Sequence, residues 1–216
     1  VILFYAQTSP YVKKVLSVAI EVGLGTEIEC VDVDTSVETP ALRQANPLSR
    51  IPTLVDGDVA VYDSPVICDY LCRKAGNVSL RPQDPDAQLR DARLQALADG
   101  VMDSTRAVRQ ERMRSPEKQV ASVIERQVLA VSHALDVLDA EAAALDGVVT
   151  IGTLAAGSAL DYVDFRLGDL NWRDTRPALA AWYAAFTQRP SMQHTALRDA
   201  QTGPAAFLAW RAAQGK

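Results

Sequence analysis

Three Ser-Pro pairs punctuate the sequence, at Ser9-Pro10, Ser64-Pro65 and Ser115-Pro116. Each serine oxygen can accept a free backbone N–H at a helix start, and each proline suits the first helical position, where its missing N–H costs nothing. Capping alone explains all three. Ser9 and Ser64 gain a second reading from what precedes them. Ser9 follows the apolar run "VILFYA" and opens the helical pattern "PYVKKVLSVAIE", while Ser64 follows Asp63 and a hairpin-like stretch. A helix that begins at the carboxyl end of a parallel strand turns its positive end into the crevice where α/β folds bind ligands. A hydroxyl and free N–H groups at that end can hold a thiolate or a carboxylate. Ser115 has no strand behind it and is read as a cap alone. Thr8 is a rival to Ser9. Tyr5, at the end of the first strand, is either packing or a further hydroxyl.

The stretch "NPLSRIPTLV" adds Ile51-Pro52. Proline is tolerated in a strand chiefly at its start, and a cis bond there would turn the backbone groups of Ile51 toward an extended, peptide-like ligand. A trans proline is the ordinary alternative. Cys68 and Cys72, four apart on one helical pattern, share a face, but no third or fourth metal ligand stands near them. Buried packing accounts for both, and for Cys30 on a strand pattern. No C-x-x-C occurs, which argues against dithiol redox chemistry. His133 and His194 are isolated on helical patterns, with nothing to pair with.

The elements that must position these residues fall into two groups. As far as Asn77, short strand and helix patterns alternate. "VILFYA" and "TEIECVDVD" read as strands, and Val12, Val15, Leu16, Ala19 and Ile20 recur at helical spacing between them. "TPALRQANP" is a short helical turn, "IPTLVDGDVAVY" is a hairpin about Asp56-Gly57, and "SPVICDYLCRKAG" is a closing helix. The order is βαβαββα, with the first two strands parallel through a crossover helix. After the polar "NVSLRPQDPDAQ" the strand signal ends. A stripe at Val120, Ile124, Val128, Val131, Leu135, Leu138, Ala142 and Leu145 marks a long helix, and further helical patterns follow at about 151–167, 177–187 and 205–212. This divides the chain into an α/β domain over 1–77, a linker at about 78–87 and an all-helical domain over 88–216. The 216 residues, 48% hydrophobic and 23% charged, are ordinary for a globular protein. A net charge of −5 without a basic block argues against nucleic acid or an anionic membrane as partner. No apolar run approaches the roughly 20 residues of a membrane span, no signal segment opens the chain, and three scattered cysteines form no disulfide framework. A cytoplasmic enzyme or binding protein fits these features.

Taken in order, "TSPYVKKV", "NPLSRIPTLV" and "VYDSPVICDYL" resemble the thioredoxin-like half of a cytosolic glutathione transferase. "ALADGVMDSTRAVRQERMR", "LDYVDFRLGDLNW" and "RPALAAWYAAFTQRPSM" resemble the helical half of the bacterial branch of that superfamily. The resemblance implies a thioredoxin-like domain followed by an all-helical one, assembled as a homodimer. It implies an enzyme of detoxification that activates glutathione, its co-substrate, as thiolate for attack on a small hydrophobic electrophile, with no metal. Ser9 becomes the hydroxyl that hydrogen-bonds the glutathione sulfur; capping and this role are not exclusive, but its hydroxyl is expected to face the sulfur. Pro52 becomes a cis-proline, and Ile51 the backbone partner of the cysteinyl unit. Ser64 would take the γ-glutamyl carboxylate with Asp63 near the amino group, and Arg50 is a candidate for the glycyl carboxylate, or simply solvated. Thr8, Tyr11, Met102, Asp103 and Arg106 are candidates for the electrophile pocket, set against a solvated charged helix face for the arginines. The alternatives are another glutathione-dependent reaction (isomerisation, peroxide reduction, dehalogenation) and a non-catalytic adaptor. Intact Ser9, Pro52 and Asp63-Ser64 count against the adaptor. Two positions depart from the family pattern. Pro65 replaces a residue that is usually larger, basic or small, and is expected to fit the first helical position. "TIGT" places Thr153 where the box opening the long buried helix usually has aspartate, a stronger acceptor than a hydroxyl.

Overall fold

The structure, a computed structural model, describes residues 1–197 and 203–215. Its first part runs β1 (Ile2–Tyr5), α1 (Pro10–Glu21), β2 (Glu29–Asp32), α2 (Pro40–Ala45), β3 (Thr53–Asp56), β4 (Val59–Val61) and α3 (Ser64–Lys74). The α1 crossover lays β2 parallel to β1, with Leu3 opposite Cys30, while β3 pairs antiparallel on the other edge, with Leu3 opposite Leu54. The sheet order is β2-β1-β3-β4, the βαβαββα arrangement expected. One detail differs. Asp56 still pairs with Val59, so the hairpin turns on Gly57-Asp58, and Gly57 takes the positive φ of 59° that a side chain resists.

The remainder is helical: α4 (Pro85–Arg112), α5 (Ala121–Leu145), α6 (Ile151–Arg166), α7 (Pro177–Phe186), α8 (Pro190–Gln193) and α9 (Gly203–Ala213). Helix α4 begins inside the stretch expected to be linker, because the Asp84 side chain caps it by accepting the Ala87 N–H at 2.9 Å. In α5 the stripe from Val131 to Leu145 is buried, but Val120 is the exposed residue before the helix rather than part of its core face. Helix α6 is buried on nearly every side, and Ala155, Ala156, Gly157 and Ala159 let its neighbours approach closely.

The "TIGT" start of α6 keeps the capping box without its aspartate. Thr153 N–H donates to Thr150 Oγ1 at 3.2 Å, and Thr150 N–H donates to Thr153 Oγ1 at 2.8 Å. The missing carboxylate comes from α4 instead. Asp91 accepts from the Thr150 hydroxyl and from the Gly152 N–H at 3.1 Å.

Helix α1 joins the two parts by polar contacts as well as apolar ones. Lys13 and Lys14 are both buried, although the helical pattern marks Val12, Val15, Leu16, Ala19 and Ile20 as its core face. Lys13 Nζ meets Asp161 of α6 at 3.1 Å and donates to Thr195 Oγ1 at 3.2 Å. Lys14 Nζ lies 2.6 and 2.9 Å from the two Asp99 oxygens on α4. One and two turns on from Lys13, Ser17 donates to the Ser191 carbonyl at 3.3 Å and Glu21 accepts a two-point contact from Arg189 at 2.9 and 2.8 Å. Burying charge is costly unless it is paired and hydrogen-bonded, and here each is.

Candidate active site

A cleft of about 490 Å³ opens between the two parts. One wall comes from the turn after β1, the loop at 49–52 and the start of α3; the other comes from α4 and the end of α6. Of the residues singled out in the sequence, Thr8, Ser9, Tyr11, Arg50, Ile51, Pro52, Asp63, Ser64, Asp103 and Arg106 all border it. Met102 does not.

The three Ser-Pro pairs part company. Ser9 is the residue before α1, and its Oγ accepts the Val12 N–H at 3.3 Å while facing the cleft. The hydroxyl is expected to point to a ligand, and the structure shows its oxygen capping the helix as well. A hydroxyl has one proton and two lone pairs, and the cap uses only a lone pair, so its proton remains available to an anion. Ser64 is no cap at all: Asp63 occupies the cap position without a side-chain capping bond, and Ser64 is the buried first residue of α3. Pro65 therefore stands at the second helical position, not the first. Ser115 is exposed, makes no side-chain capping bond, and donates to Glu117. Tyr5 resolves as packing. It is buried in the core, the cleft wall passes from Ala6 to Thr8, and burial, then the charges of Asp32 and Cys30, raise its phenol above the ordinary range.

The loop before β3 is braced from within. Buried Asn46 donates to the Arg50 carbonyl at 3.2 Å and to Thr53 Oγ1 at 3.0 Å, and Thr53 Oγ1 donates to the same carbonyl at 2.7 Å. These contacts hold Arg50 and Ile51 at the rim, with Pro52 buried behind them. The Ile51–Pro52 bond is cis.

Helical register explains the far wall. Met102 falls on the stripe of Ala98, Val101 and Thr105, which packs into the core, and it is fully buried there. Its place as a pocket residue is withdrawn. Asp99, Asp103, Arg106 and Arg109 recur at four- and three-residue steps and form the face that meets the cleft. Tyr11 donates its hydroxyl to Asp103, and burial, then that bond, push its phenol well above the ordinary range. Burial likewise raises the Asp99 carboxyl, and Lys14 offsets this only in part.

Helix α6 adds Tyr162 and Arg166, which the sequence reading missed. The Arg166 guanidinium lies over the rings of Phe165, at 3.9 Å, and Tyr162, at 5.8 Å. The available signal was a four-residue Tyr–Arg spacing at the end of a helix otherwise free of cations. Cys68 is fully buried and burial pushes its thiol to about 12; Cys72 is buried beside it, and half-buried Cys30 is also pushed to about 12 by burial. Among the described residues no three His, Cys, Asp or Glu side chains come together as a metal site, and no helix is long and apolar enough to cross a membrane.

A thioredoxin-like sheet with a braced cis-proline loop beside a serine-capped helix, joined to a helical bundle, is the plan of one class of proteins. The family models for the glutathione S-transferase N-terminal and C-terminal domains match residues 3–79 and 121–185. A curated Escherichia coli K12 relative, the uncharacterized GST-like protein YibF, is 30% identical over 87% of this chain and 94% of its own. A glutathione transferase family member from Pseudomonas fluorescens Pf-5, solved with bound glutathione, is 40% identical, with a TM-score of 0.86 over 92% of this chain and 99% of that one. A second Pseudomonas fluorescens structure, with S-(propanoic acid)-glutathione bound, is 39% identical with a TM-score of 0.83, over 92% of this chain and 100% of that one. This chain belongs to the glutathione S-transferase superfamily.

Proposed function

We propose that this chain is a glutathione transferase that binds glutathione in the cleft and stabilises its thiolate at Ser9. The observation that carries the reading is the convergence of Ser9, Ile51-Pro52 and Asp63-Ser64 on one cleft wall at the start of α1. Ser9 donates its free proton to the sulfur while its oxygen keeps the cap, and the helix N-terminus adds a favourable field. The main chain of Ile51 pairs with the cysteinyl unit, Ser64 takes the γ-glutamyl carboxylate, Asp63 faces the amino group and Arg50 the glycyl carboxylate. The electrophile lies against Thr8, Tyr11 and the α4 face, where proximity and the fixed charges speed thiolate attack. The S-conjugate held by the Pseudomonas fluorescens relative supports a cleft with room beyond the sulfur. The protein acts in the cytoplasm, in detoxification, and as a homodimer; exposed Tyr62 and Val66, which border one shallow pocket, support the last.

The test is retention on immobilised glutathione, followed by turnover of an activated aryl chloride by the wild type and Ser9→Ala. Retention is expected, with turnover at neutral pH about 10- to 100-fold lower in Ser9→Ala, the worth of one charge-assisted hydrogen bond. A protein that passes through the column unretained has no such site. Undiminished turnover would move the role of Ser9 to Thr8.

A further inference from the structure

We propose that the electrophile of this cleft carries a carboxylate, received by Arg106, Arg109 and Arg166 beyond the glutathione sulfur. The inference rests on the glutathione reading above and sets an acidic electrophile in place of the small hydrophobic one that the resemblance implies. The α4–α6 wall has the wrong chemistry for a greasy ligand. Met102 is turned into the core, and the side chains that meet the space are three arginines, two carboxylates and the phenol of Tyr162, with Tyr11 of α1 reaching across to Asp103.

The charges on this wall do not cancel. Asp99 is neutralised by Lys14, and Asp103 already accepts the Tyr11 hydroxyl. Elsewhere in the helical part Arg93, Arg112, Arg173, Arg176 and Arg189 each take a carboxylate. Among the described residues no carboxylate lies within ion-pair distance of Arg106, Arg109 or Arg166. Arg166 is half-buried, and its Nε is buried with no hydrogen-bond partner. Burial lowers its pKa from the usual guanidinium value and the nearby charge of Arg109 adds to this, while the Tyr162 side chain, to which it hydrogen-bonds, offsets part of it. Arg166 keeps one buried donor without a partner, Arg109 lines the same cleft, and a bound carboxylate would meet both, since the guanidinium fork matches its geometry.

The chemistry gains from the same arrangement. An ionised α,β-unsaturated carboxylate is a poor acceptor for a thiolate, because both partners are anionic and the carboxylate feeds electrons into the double bond. Guanidinium groups offset both effects. The sulfur forms a bond to the β-carbon, the π pair moves to the α-carbon and the carboxylate oxygens, and the α-carbon then takes a proton from water. Nothing is expelled and no oxidant or reductant is needed. Charge on the carboxylate grows along this path, so the arginines favour the transition state over the bound substrate.

Calorimetric binding of glutathione, S-carboxyethyl-glutathione and its neutral carbamoyl twin tests the inference. The acid is expected to bind about 10-fold or more tightly than the amide, from charge-assisted hydrogen bonds. The ratio should contract in Arg109→Gln and in Arg166→Gln, survive better in Arg109→Lys, and narrow with added salt. In turnover, acrylate should be accelerated over its uncatalysed reaction more than acrylamide is. Normal glutathione binding with equal affinity for the two conjugates, or a greater acceleration of acrylamide, would overturn the acidic electrophile alone. Failure to bind all three ligands would overturn the glutathione reading and this inference with it.

Discussion

Replacing Lys14 by Met isolates the charge that ties α1 to the cleft wall. The Lys14 side chain is fully buried and Asp99 retains 20% side-chain exposure, with 2.6 Å between Nζ and Oδ1. At an effective dielectric of about 20, that separation corresponds to roughly 6 kcal/mol of gross attraction, most of which offsets the cost of burying the two charges. Lys14→Met removes the attraction but leaves Asp99 part-buried, and the access of Asp99 to water places the loss near the low end for such pairs, about 3 kcal/mol. For a chain of this size that is a fall in Tm of roughly 6–12 °C, and urea denaturation should report the same loss. Adding Asp99→Leu should restore most of it, because the double variant leaves no orphaned charge. The pH dependence has a definite sign. Asp99 is raised above its ordinary value when folded, chiefly by burial, and loses its remaining counter-charge in Lys14→Met, so its pKa rises further. A raised carboxyl contributes stability below its unfolded pKa and loses it as pH climbs through the folded one. The deficit of Lys14→Met should therefore shrink between neutral pH and about pH 5. A Tm within about 1 °C of wild type, or a deficit that grows on acidification, would refute the pairing argument.

Three further outcomes are expected. Ser9→Ala should lose about 1 kcal/mol of stability with its cap, whereas Ser115→Ala, at an exposed site without a capping bond, should stay within roughly 0.5 kcal/mol of wild type by urea denaturation. Gly152→Ala should cost about 1–3 kcal/mol by the same measurement, because its Cβ would strike the Asp91 carboxylate and sit 2.7 Å from the Asp91 carbonyl oxygen. Cys68, buried and pushed to about 12 by that burial, should resist a thiol reagent at neutral pH until the protein unfolds, as peptide mapping would show.

Sequence reasoning reached the strand and helix order because period-two and helical spacing report the face of each element that is apolar. It reached the near wall of the cleft because Ser9, Ile51-Pro52 and Asp63-Ser64 lie at element ends, where local chemistry and position coincide. It failed where a side chain's surroundings come from distant chain. Met102 and Arg106 are four apart on a helix whose polar and apolar faces are weakly separated, and only packing against α6 shows that one turns inward and the other to the cleft. Arg166 reaches the site from the end of a helix buried for other reasons. Nothing in the helical pattern marks Lys13 and Lys14 as buried, because their partners, Asp161 and Asp99, stand 148 and 85 residues away. Asp91 was unreadable for the same reason, since it supplies from α4 the carboxylate that Thr153 lacks.

The polar seam along α1 also decides which halves can live together. An apolar face tolerates many partners of suitable volume, whereas buried lysines tolerate only partners that bring acids to matching places. A helical half transplanted from another protein without carboxylates at positions 99 and 161 would strand both lysines in a dry interface. Glu21 makes the same demand in the opposite sense, since it must find a cation where Arg189 now stands. The helix that presents Ser9 to the cleft thus carries a lock for its own companion, and exchange of halves between lineages would be confined to chains that share the key.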